Sequence, residues 1–72
     1  MTVTQEKTIW ESVVYKLRIV EVRMFTTLDL LAHRIERFQD GMWRRIDSRT
    51  TLTEAQMYVE YHFGINIQEQ NE

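Results

Sequence analysis

Apolar residues recur with a helical period from Ile9 to Ile46. Advanced by about 100° per residue, one sector collects Ile9, Trp10, Val13, Val14, Leu17, Val20, Met24, Phe25, Leu28, Leu31, Ala32, Ile35, Phe38, Met42, Trp43 and Ile46. Only Glu21, Thr27, Gln39 and Arg45 interrupt it, and the opposite sector is polar except for Tyr15, Ile19, Val22 and Leu30. The pattern predicts an all-α protein, an amphipathic helical bundle with helices over residues 8–25 and 28–47. Thr26 and Thr27 weaken a helix, and Thr26 with Asp29 has capping-box spacing, so a second helix can begin there. The phase is nevertheless unchanged across the two threonines, which favours one continuous helix. Such a helix would span roughly 57 Å, whereas a compact chain of this length has a radius of gyration near 11 Å. A continuous helix therefore needs a second copy to cover its stripe, and a homodimer is the simplest solution.

A third, short helix is predicted over residues 53–63. Thr51 and Glu54 have the spacing of a capping box, and Gly64 stands where a helix usually stops. The stretches 1–7 and 66–72 read as frayed ends of one small domain, 1–72.

An α+β alternative competes. Val13, Tyr15, Leu17 and Ile19 alternate with polar residues, and Val, Ile, Tyr and Phe favour strands. Asp40-Gly41 suits a tight hairpin turn. This reading gives strands over 12–24 and 42–47 and helices over 28–38 and 53–63. Against it, the alternation slips at Ile19-Val20, where neighbouring residues are both apolar. The all-α reading is the expectation adopted.

Size sharpens the expectation of a dimer. A chain of 72 residues buries only about 60% of its unfolded surface and often needs a disulfide, a metal or a partner. It has no Cys and two His, so neither a disulfide nor a structural zinc site is expected. No apolar run approaches the roughly 18 residues of a membrane span, and the N-terminus lacks a signal-peptide pattern. A cytoplasmic protein without a membrane partner is expected.

Chemistry is sparse. His33 and Glu36 fall on the polar side of the helical wheel and read as a surface pair. His62, beside Tyr61 and Phe63, reads as a partly packed side chain. No Gly-rich phosphate loop or nucleophile elbow is present, so no catalytic residue, cofactor, metal or small-molecule substrate is expected.

Two functional readings follow. In the leading one, the chain is a non-enzymatic protein–protein interaction module that regulates or inhibits a larger protein, a size class that includes products of phages and mobile elements. Trp43, Arg44 and Arg45 have the composition of an interface hot spot. Met57, Tyr58 and Tyr61 lie opposite the Leu52, Ala55, Val59 and Phe63 stripe and add a second apolar helix face. In the alternative, a helical dimer binds nucleic acid through Arg34, Arg37, Arg44, Arg45 and Arg49. The net charge is −2, so only this local cluster favours a polyanion.

Overall fold

The computed structural model describes residues 3–65. The order of elements is β1 (Thr4–Ser12), β2 (Leu17–Met24), β3 (Leu30–Gln39), β4 (Met42–Arg49) and α1 (Leu52–Phe63). The strands form one antiparallel sheet in the order β1-β2-β3-β4. This overturns the all-α helical bundle: both expected long helices, 8–25 and 28–47, are strands joined by turns. In the α+β alternative, the helix over 28–38 is likewise a strand, β3.

The turns explain where the chain reverses. Asp40 and Gly41 both have positive φ, 54° and 79°, the geometry of a type I′ turn, and Gln39 pairs with Met42 across it. Thr26-Thr27 lies in the β2–β3 turn. There the Thr27 hydroxyl donates to Asp29 at 3.0 Å, and the Leu28 N–H donates to the Met24 carbonyl at 2.8 Å. Two β-branched residues thus stand at a reversal, not inside a helix.

Register sorts the side chains onto two faces. Leu17, Ile19, Glu21, His33, Ile35 and Arg37 share the face on which α1 packs, and Trp10 pairs with Ile19 on that face. Arg18, Val20, Val22, Arg34, Glu36 and Phe38 share the other. The register shifts at three points, leaving Ile9, Leu31 and Ile46 as inserted residues.

This arrangement accounts for the deceptive helical stripe. β2 has a paired strand on each edge, so its side chains have cross-strand neighbours on both faces, and Ile19 and Val20 are both buried although they point to opposite faces. The apparent stripe superposes two sheet faces, with each inserted residue resetting the alternation.

The core contains Trp10, Leu17, Ile19, Ile35, Ala55, Val59 and Ile65, flanked by Ile9, Tyr58 and Phe63. Ala55 and Val59 are one helical turn apart, so they reach the sheet together. The Thr51 hydroxyl accepts from the Glu54 N–H at 3.1 Å and donates to its carboxylate at 3.0 Å. Gly64 closes the helix in the left-handed conformation, its N–H donating to Glu60. The segment 1–7, expected to fray, enters β1 at Thr4. The tail 66–72 lies outside the described residues. Among those described, no helix is long and apolar enough to cross a membrane.

Candidate nucleic-acid interface

The face of the sheet opposite α1 carries a row of charges. Arg18 donates through Nε to Glu36 Oε1 at 2.6 Å, Arg34 Nε lies 2.7 Å from Glu36 Oε2, and Arg34 also pairs with Glu6. The row therefore runs from β1 to β3. Glu36 is buried, and the two guanidinium groups replace the water contacts that burial removes. Burial works against the Arg34 charge, but Glu6 and Glu36 outweigh it and raise its pKa. The pair expected on the surface, His33 and Glu36, is instead buried on opposite faces of β3. The His33 Nδ1 lies 3.1 Å from the Thr50 carbonyl.

At one end the row meets aromatic rings. Trp43 pairs with Phe38 across the β3–β4 hairpin, their ring centroids 5.3 Å apart at 63°. The Arg18 guanidinium lies 4.3 Å from the Trp43 ring centroid, within cation–π range. Arg18 uses Nε for Glu36, and its terminal nitrogens have no partner among the described residues. A cleft of about 280 Å³ opens here between Glu11, Ser12, Val13, Lys16, Phe38 and Trp43. The Phe38 N–H donates to the Lys16 carbonyl at 2.8 Å, which ties the β1–β2 turn to β3 and fixes the cleft wall.

The expected arginine ridge is divided. Arg34 and Arg45 lie on the uncovered face. Arg37, Arg44 and Arg49 lie on the α1 face by register, with Arg37 near the Phe63 ring at 5.9 Å and Arg49 near the Tyr58 ring at 5.3 Å. Arg34 and Arg49 are held in ion pairs. Arg44 and Arg45 are exposed and make no ion pair among the described residues.

The residues expected to form one protein-binding surface also separate. Trp43 and Arg45 occupy the uncovered face, Arg44 the other. Met57, Tyr58 and Tyr61 gather on α1 with His62, Glu54 and Arg49 around a second hollow. His62 is exposed and lies 4.2 Å from the Tyr58 ring and 5.1 Å from that of Tyr61. Among the described residues, no group of three His, Cys, Asp or Glu could hold a metal ion.

Sequence reasoning missed Lys16, Arg18 and Phe38 as site residues. Phe38 and Trp43 flank Asp40-Gly41 symmetrically, so treating that dipeptide as a hairpin turn would have placed them opposite each other. The alternation of Lys16 and Arg18 with Leu17 and Ile19 carried the rest of the signal. No family model matches the chain, and neither curated proteins nor solved structures provide a relative.

Proposed function

We propose that the uncovered sheet face binds single-stranded nucleic acid without catalysing a reaction. The observation that carries this reading is the joining of Trp43, Phe38 and Arg18 at one end of an open sheet. Base stacking on aromatic and guanidinium planes, with cations following the backbone, is the physical basis of single-strand recognition. A base entering the cleft would meet Phe38 and Trp43, while Arg18, Lys16 and Arg45 would meet phosphates. The fold replaces the helical dimer first expected for this activity, and two of the five expected arginines, Arg34 and Arg45, stay on the proposed face. Arg34 serves there by holding Glu36, which in turn holds Arg18. A cytoplasmic setting suits the reading.

The test is fluorescence anisotropy with a labelled single-stranded oligonucleotide at low salt. With Lys16, Arg18 and Arg45 on phosphates, the logarithm of affinity should fall with the logarithm of salt at a slope of about −2. Trp43→Ala should weaken binding by about fivefold to about 150-fold, given about 1–3 kcal/mol per stacked base. Arg45→Glu, at an exposed position, should weaken it while leaving the circular dichroism spectrum unchanged. No binding at low salt, or binding untouched by both substitutions, would end the reading.

A further inference from the structure

Among the described residues, the outer edge of β4 and the flank of α1 beside it form one continuous unpartnered surface. β4 is a terminal strand of the sheet, and its outward backbone groups are open to another strand. The aromatic hollow of α1 adjoins the same strand: Arg49 of β4 helps to line it with Met57, Tyr58 and Tyr61. Tyr61 is 85% exposed and Met57 62%. At the opposite edge, β1 meets the core through Trp10, which lies in one cluster with Ala55 and Val59, whereas the larger helix–strand contacts are with β3 and β4.

The pattern of β4 matches itself. Register places Met42, Arg44, Asp47 and Arg49 on the α1 face and Trp43, Arg45 and Ser48 on the uncovered face. The inserted Ile46 creates this order, since Arg44 and Asp47 would otherwise point to opposite sides. An antiparallel copy related by a two-fold axis between Arg45 and Ile46 would set Met42 against Arg49, Trp43 against Ser48 and Arg44 against Asp47. Each of these three pairs shares a face, Arg45 stands opposite the inserted Ile46, and the Arg44–Asp47 pair is complementary in charge and occurs twice. The same axis keeps both helices on one side and brings their Tyr58 and Tyr61 flanks together.

We infer that β4 and the adjoining flank of α1 bind a second copy of this chain, forming an eight-stranded sheet. Addition of a strand at an open edge draws on main-chain hydrogen bonds, with side-chain pairs setting register. Insofar as the nucleic-acid reading holds, the second copy completes the site: the uncovered faces become continuous, and the two Arg45 side chains meet near the axis. Their mutual repulsion would be relieved by a phosphate between them.

Because the chain has no cysteine, introduced thiols can report the register. Directly opposed residues in an antiparallel pair have Cα atoms about 4.5–5.5 Å apart, within disulfide range. Met42→Cys and Arg49→Cys, both at exposed positions, should form a covalent dimer when mixed and oxidised, and neither should do so alone. Sedimentation without nucleic acid should give twice the chain mass for the unmodified protein, and Arg44→Asp should raise the dissociation constant at least tenfold. A monomer at a hundred micromolar, or crosslinking as efficient in either single variant as in the mixture, would overturn the inference. A monomer that still binds oligonucleotide defeats the dimer alone, whereas a dimer that binds none defeats only the nucleic-acid reading.

Discussion

Ile35 is fully buried on the central strand β3, at the contact between sheet and helix. Truncation to Ala removes its packing and leaves a void that rigid neighbours cannot fill. Ile35→Ala should therefore cost about 2–5 kcal/mol, read from the midpoint of urea denaturation with an unchanged slope. A loss below about 1 kcal/mol would mean that the helix does not seal this face. Ile35 was recognisable as apolar from the sequence, but its packing environment was not. The same holds for Glu36: a charged residue on a helical wheel looks solvated, and only cross-strand neighbours such as Arg18 reveal a buried ion pair.

Among the elements, α1 was the most legible because its signals are local. A cap, a stop and a stripe all lie within the segment. Thr51→Ala removes the hydroxyl that accepts from Glu54 and should destabilise the protein by about 1 kcal/mol. Thr51→Ser should retain most of that stability, and chemical denaturation of the two variants makes the comparison. The strands were less legible because their partners lie elsewhere in the chain. An inner strand such as β2 has no single polar face, and the inserted residues Ile9, Leu31 and Ile46 break the two-residue period. Asp40-Gly41 did carry a turn signal, yet a helix can tolerate one Gly at about 1 kcal/mol. The longer periodicity therefore outweighs that local signal.

At the scale of the whole molecule, charge links stability to acidity. The Arg23 side chain, bonded to Glu21, holds that carboxyl below its ordinary range despite some desolvation, with smaller help from His33 and Lys7. For Asp47, the Ser48 backbone is the main cause of a similar lowering, opposed by desolvation and aided by Arg49 and His62. A carboxyl whose folded pKa lies below its unfolded value stabilises the fold above the unfolded pKa. That contribution disappears as pH falls through the folded one. The stability difference between the unmodified protein and Asp47→Asn should therefore hold steady above about pH 5 and shrink below about pH 4. Urea midpoints across that range give the comparison, and a difference that grows in acid would contradict the assignment.

Every strand pairs with its immediate predecessor in the chain, so the sheet can assemble hairpin by hairpin with short loop closures. Such local wiring favours rapid folding. The helix that seals the sheet comes after all four strands. During synthesis, Leu17, Ile19 and Ile35 would emerge before Ala55 and Val59 and remain wet on one face until the last part of the core arrives. The nascent sheet would thus pass through an interval as an adhesive surface. The speed of translation through α1 would govern how long neighbouring nascent chains can capture it.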